Sequence, residues 1–152
     1  MRIYLPASVA DLAEQYLSPR AIHLVSANLR SAHPDEGEED LEVVAFLLAA
    51  DTSLTQLGRQ DIPARVVIAA DVAPSHVAIA DGPDPTAAAL TTRLPWSAVV
   101  SIHVDDPDDA EAAQTLRAAI EGHADAQEAA ADLDLLWFDV SERQPLRALF
   151  GQ

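Results

Sequence analysis

The stretch Trp96–Asp106, WSAVVSIHVDD, constrains this chain more than any other. Val99–Val104 is rich in β-branched residues and reads as a strand. The run then breaks into acids and a proline, where Asp106 fits an N-cap, Pro107 the first helical position and Asp109 the third. A strand that feeds directly into a helix in mid-chain calls for a layered domain in which helices pack on a sheet. The same stretch places His103 and Asp105 on one face of the strand, the spacing that a metal pair or an acid–base pair uses.

The flanking segments extend this pattern. Arg2–Leu5 reads as a first strand ended by Pro6. Ser8 and Asp11 form a capping box, and Val9, Leu12, Ala13, Tyr16 and Leu17 follow helical spacing up to Ser18-Pro19. A second strand is expected over Ile22–Ala27. Residues 29–39, rich in Ser, His, Pro, Asp, Gly and Glu, read as a loop. Glu36, Glu38, Glu39 and Asp40 suit the N-terminal end of a long helix over Leu41–Leu57. Within it Val43–Ala50 is apolar on every side, which points to burial in the domain or to an oligomer interface.

Arg65–Ala70, RVVIAA, reads as a strand covered on both faces. Ser75–Ala80 and Thr91–Leu94 are expected to be further strands around the loop Asp81-Gly82-Pro83-Asp84-Pro85. After Asp106, Ala110, Ala113, Leu116 and Ile120 keep one apolar helical face, closed by Gly122, and Ala124–Ala131 is a second helical piece. Leu135–Val140 is the last strand, and Leu146, Leu149 and Phe150 form an apolar tail. The fold class is therefore α+β (or α/β), a single mixed sheet with packed helices, and a ferredoxin-like variant is the nearest common architecture. One domain is expected over residues 1–152, with a mobile acidic loop near 30–39 and a docked tail over 143–152.

Composition narrows the partners. The 152 residues carry 25 acids against 9 bases, all of them arginine, for a formal net charge of −16. Such a chain does not neutralise a phosphate backbone, which excludes nucleic acid, and anionic membrane surfaces are disfavoured for the same reason. The acidity reads first as a well-solvated surface, and second as attraction for a basic protein or adaptation to salt. No cysteine occurs, so disulfides, thiolate nucleophiles and cysteine-held metals are absent. Strand-like residues from Arg2 leave no room for a signal peptide, and Val43–Ala50 is too short to span a membrane. A cytoplasmic location is expected.

Candidate chemistry is sparse. His103 and Asp105 are the leading catalytic and metal-ligating candidates. Asp71 joins them if the third strand and the Val99–Val104 strand pair in parallel, where two carboxylates can hold Mg²⁺. Against this, the acids after Asp105 are explained by a helix start. His23, His33, His76 and His123 lie in separate segments. No nucleophile elbow, dinucleotide fingerprint or phosphate loop is present, and only five glycines are available to build one. No cofactor is expected. Arg2 and Tyr4 share one face of the first strand and Arg65 begins the third; each arginine suits an anion or, more economically, an ion pair. Trp96, Trp137 and Phe46 are the interface candidates, as core aromatics or as anchors for a partner.

Met1-Arg-Ile-Tyr-Leu-Pro-Ala7, Leu41-Glu-Val-Val-Ala45 with Ala49-Ala50 and Ser53-Leu54, Val66–Asp71, Val99 with His103-Val-Asp105-Asp106, and Leu136-Trp137-Phe138 together span nearly the whole chain. In these segments the chain resembles a family of small acidic actinobacterial proteins that forms a domain of unknown function. The resemblance implies a bacterial, cytoplasmic single domain and carries no catalytic residues. The leading expectation for function is a non-enzymatic interaction or regulatory module with a protein partner, or a homodimer formed through the long helix or a strand edge. The alternatives are a small metal-assisted hydrolase using His103 and Asp105, and an acidic mimic of nucleic acid that binds a basic protein.

Overall fold

The computed structural model describes residues 1–152. The chain opens with β1 (Arg2–Ala7), a 3-10 turn (Val9–Ala13), β2 (Tyr16–Leu17) and β3 (Arg20–His23). The helices α1 (Ala27–Ala32) and α2 (Glu38–Gln56) lead to β4 (Val66–Asp71). Then come β5 (Val77–Ile79), β6 (Ala87–Leu90), β7 (Leu94–Pro95) and β8 (Val99–Asp105). The helices α3 (Ala110–Ile120) and α4 (Ala124–Ala131), the strand β9 (Leu135–Asp139) and the helix α5 (Arg143–Leu149) complete the chain. The fold is α+β, with a seven-stranded sheet in the order β5-β6-β3-β1-β4-β8-β9 and a two-stranded sheet of β2 and β7.

Every ladder is antiparallel. β3 and β4 therefore run in the same direction on either side of β1, and the connection through α1 and α2 is a split β-α-β crossover. A ferredoxin-like sheet interleaves two such crossovers. Here the second helical connection, α3–α4, joins β8 to its immediate neighbour β9, so the likeness stops at one crossover.

The two faces of the sheet are closed differently. On one face Ile3, Leu5, Ile22, Ile68, Leu90, Ile102 and Val104 form the main core. Val9, Leu12, Leu17, Leu94 and Leu146 close it. On the other face Tyr4, Val67 and Ala69 meet Ala45, Ala49 and Ala50 of α2. Alanine at these positions lets the helix backbone lie close to the strands. Ser53, fully buried, fixes that approach: its hydroxyl donates to Ala7 O at 2.7 Å and accepts from Val66 N at 3.0 Å. Ala7 and Val66 are paired at one end of the β1–β4 ladder, so a single hydroxyl ties α2 to both central strands.

Several elements differ from expectation, each for a local reason. The Ser8–Asp11 capping box forms but opens only the 3-10 turn. Arg20 clamps Asp11 at 2.9 and 3.0 Å, and Tyr16–Leu17 leaves the helical path to pair with Leu94–Pro95. Ser26, read as the near-end of a strand, is instead the N-cap of α1 and accepts from Leu29 N at 3.0 Å. The strand expected over Thr91–Leu94 does not form: β6, built largely of alanine, ends at Leu90, and of the expected residues Leu94 alone enters a strand, β7. The helix after β8 starts one turn later than read: Asp109, not Asp106, is the cap, accepting from Ala112 N at 2.9 Å. Asp106 accepts from Asp108 N at 2.9 Å in the preceding turn. Finally, α2 is not buried all round, because Val43, Val44 and Leu47 are exposed.

Candidate functional site

Strand alternation sends Tyr4, Ala69, Ser101, His103, Leu135 and Trp137 to the face of the sheet that α2 covers. The alanine seam holds the middle of α2 down, and towards its N-terminal end larger side chains hold the helix off the strands. Between them lies an open cleft of about 600 Å³, with Glu39, Glu42, Val43 and Phe46 on the helix side. It is the largest concavity described for this chain.

The wall is an aromatic row. Phe46 meets Tyr4 edge-on, with ring centroids 6.1 Å apart, and meets His103 in the same manner at 4.9 Å. Trp137 lies opposite His103 in the β8–β9 ladder and is 60% exposed. His103 bonds through Nε2 to the buried Ser101 hydroxyl at 2.9 Å. Burial against Phe46 penalises the imidazolium and pushes the His103 pKa down to about 4, so the ring is neutral at pH 7. Burial also raises the Tyr4 pKa, and the nearby Glu42 carboxylate adds to it.

The charges of the cleft are mostly negative. Glu39 and Glu42 stand at the helix side, and Arg2 is the one arginine in the lining. Asp71 already holds that arginine in a two-bond ion pair, Nε–Oδ1 at 2.7 Å and Nη2–Oδ2 at 3.2 Å. This pair lowers the Asp71 pKa and raises that of Arg2. The cleft therefore presents aromatic faces and uncompensated carboxylates.

The sequence candidates separate in space. Asp71 and Asp105 sit on adjacent strands, but the antiparallel register puts them at opposite ends, roughly 20 Å apart at 3.4 Å per residue. The parallel pairing that would have joined them does not occur. Asp105 is turned away from solvent into an ion pair with Arg65. It accepts from Arg65 N at 2.7 Å, Nε at 2.9 Å and Nη2 at 2.7 Å, and both side chains are 3% exposed. Arg65 also donates to Leu133 O at 3.0 Å, which anchors the turn before β9. With both oxygens engaged by Arg65, Asp105 has no free oxygen to offer beside His103.

Of the interface candidates, Phe46 and Trp137 line the cleft and Trp96 does not. Trp96 packs against the main core. Its Nε1 donates to Glu14 O at 2.9 Å, and the Arg143 guanidinium lies 4.2 Å from its ring centroid. Ser101, Tyr4, Glu39 and Glu42 were not singled out as site residues from the sequence. The signal was present in part: Arg2 with Tyr4, and Ser101 with His103, are pairs at strand spacing. Glu39 was absorbed by its role at a helix start, and Glu42 lay within the long helix without a role.

Chemically, the Ser101–His103 pair is poorly equipped for hydrolysis. A base whose conjugate acid has a pKa of about 4 takes a serine proton weakly at pH 7, and no carboxylate orients the ring. No three or more His, Asp or Glu side chains converge to hold a metal ion. No helix is long and apolar enough to cross a membrane.

Comparisons with curated proteins and with solved structures return no match. A family model does match, and it covers residues 1–146, which takes in β1 through most of α5 and so every residue of the cleft. The chain belongs to a family of unknown function, DUF6912.

Proposed function

We propose that this protein is a non-enzymatic binding module whose working surface is the cleft between α2 and β9, and that it takes cationic groups from a protein partner. The observation that carries the reading is the combination in one cleft of aromatic faces, carboxylates without partners and a histidine held neutral. A cation above an aromatic face gains from the ring quadrupole, and a nearby carboxylate adds to that gain. An anion would meet Glu39 and Glu42 with Arg2 already engaged. The formal charge of −16 supports the same sign of partner, because it steers basic surfaces toward the protein over long range.

The metal-assisted hydrolase is the weaker reading, since Asp105 and Asp71 are each tied to an arginine at opposite strand ends. The acidic mimic shares the basic partner but needs rows of carboxylates at phosphate-like spacing, and the binding reading needs only the cleft.

The test is a titration of the ¹⁵N-labelled protein with arginine amide, lysine amide and acetate at 20–150 mM salt. The cationic probes are expected to shift resonances of Tyr4, Phe46, His103 and Trp137 together, and acetate is expected to leave them in place. Trp137→Ala should weaken the cationic probes about three- to tenfold, the range of an exposed to partly desolvated cation–π contact. Equal response to acetate, or no response of the cleft to either cation, would refute the proposal.

A further inference from the structure

From β9 we infer that the partner engages as an extended, arginine-bearing segment that adds to the sheet as an eighth strand. The inference rests on the reading of the cleft as a cation site and says how that cation is delivered.

β9 is an edge strand with β8 as its one strand neighbour. The direction of its backbone groups follows from the register. Asp105 N donates to Arg65 O, on the β4 side, so in β8 the groups of Ser101, His103 and Asp105 face β4, and those of Ile102 and Val104 face β9. Ile102 pairs with Phe138 and Val104 with Leu136, which uses the groups of Leu136 and Phe138. The N–H and C=O groups of Leu135 and Trp137 then point away from the sheet. No backbone or side-chain group of the protein bonds to them. At the next outward position, Asp139 N is closed off by Glu142 Oε2 at 2.8 Å. The open edge is therefore a short one, centred on Leu135 and Trp137.

Proteins commonly protect such edges with lysine, proline or a bulge. β9 has no lysine, proline or bulge; its one charged residue, Asp139, stands at its end, and Leu136 and Trp137 are exposed along the open part. The opposite edge, β5, is three residues long and contributes nothing to the cleft. Strand addition at β9 gives main-chain affinity, and alternate side chains give specificity. In an antiparallel addition, the residue opposite Trp137 exchanges hydrogen bonds with it and projects its side chain onto the same face, about 4.8 Å further out. An arginine there lies over the Trp137 ring, with its head toward Glu39 and Glu42. Charge selects the occupant: two copies of this chain would each bring −16 to the junction, whereas an arginine-bearing strand compensates it.

The test uses an eight-residue peptide of alternating arginine and threonine and two N-methylated forms of it, one methylated at every arginine and one at every threonine. In the antiparallel addition the arginine amides face β9, so the first form should bind at least about tenfold more weakly than the second. The Leu135 and Trp137 amides should gain protection from hydrogen exchange with the parent peptide. Equal affinity of the two methylated forms would overturn strand addition. If the cleft resonances still shift, the cation reading survives that result; if no peptide and no arginine amide shifts them, both readings fall. Sedimentation of the free protein covers the other occupant: a dimer with protected Leu135 and Trp137 amides would assign this edge to a second copy and overturn the inference.

Discussion

Replacing Asp105 by alanine tests whether this residue is structural, and its cost follows from the buried geometry. In the native protein Asp105 accepts from Arg65 N, Nε and Nη2, and the side-chain pair is 3% exposed on each side. Removing the carboxylate leaves the guanidinium with Leu133 O as its remaining partner. A buried charge stripped of its counter-charge costs about 3–5 kcal/mol. For a chain of this length each kcal/mol lowers Tm by about 2–4 °C, so the drop should be about 6–20 °C. Chemical denaturation followed by far-UV circular dichroism measures the free energy, and calorimetry measures Tm. The companion variant Arg65→Met with Asp105→Leu removes both charges at similar volume. It should recover part of the loss, leaving about 1–3 kcal/mol from the residue-65 N–H that no longer has an acceptor. A loss below about 1 kcal/mol in Asp105→Ala, or a double variant no more stable than the single one, would refute the reasoning and return Asp105 to the list of residues held free for chemistry.

Three further outcomes follow from the same geometry. Ser53→Ala should destabilise the fold by about 1–3 kcal/mol, because its fully buried hydroxyl serves both Ala7 O and Val66 N; urea unfolding measures this. The His103 ring should show no titration between pH 5.5 and 8 by NMR, since burial holds its pKa at about 4. The unfolded ring titrates near 6.5, so the unfolded chain binds the extra proton first as pH falls. The stability from neutral His103 is thus complete above about 6.5 and declines as pH drops toward about 4, and His103→Gln should flatten that part of the stability–pH curve. Thr86→Val should destabilise by about 1 kcal/mol by thermal melting, because the Thr86 hydroxyl links buried His23 Nδ1 at 2.7 Å to Asp84 at 2.7 Å.

Strong local patterns were legible in the sequence, and pairing was not. The strands at Arg2, Val66 and Val99, the long helix and the helix at Ala124 follow from runs of one period with clear punctuation. The helix read over Val9–Leu17 failed because the same spacing of apolar residues serves a 3-10 turn and a strand, and Arg20, distant in the reading, decides between them through Asp11. β6 was missed because Ala87–Leu90 has little β propensity of its own and is held by neighbours on both sides. For the site, His103, Phe46 and Trp137 were named separately, and only the β8–β9 register and the α2 packing unite them. The pairing of Asp105 was not legible because its partner lies 40 residues away at the start of β4. A carboxylate at a strand end looks the same in sequence whether it faces solvent or an arginine.

The place of β1 in the sheet has a kinetic consequence. The first strand of the chain is the central one, flanked by β3 and β4. Its longer ladder joins Arg2 to Asp71, so it closes only after α1, α2 and β4 exist and have been brought round. Contacts between such distant segments make folding slow compared with a helical domain, because the chain is ordered long before those contacts reward it. During synthesis β1 therefore emerges well before β4, the strand that carries most of its pairing.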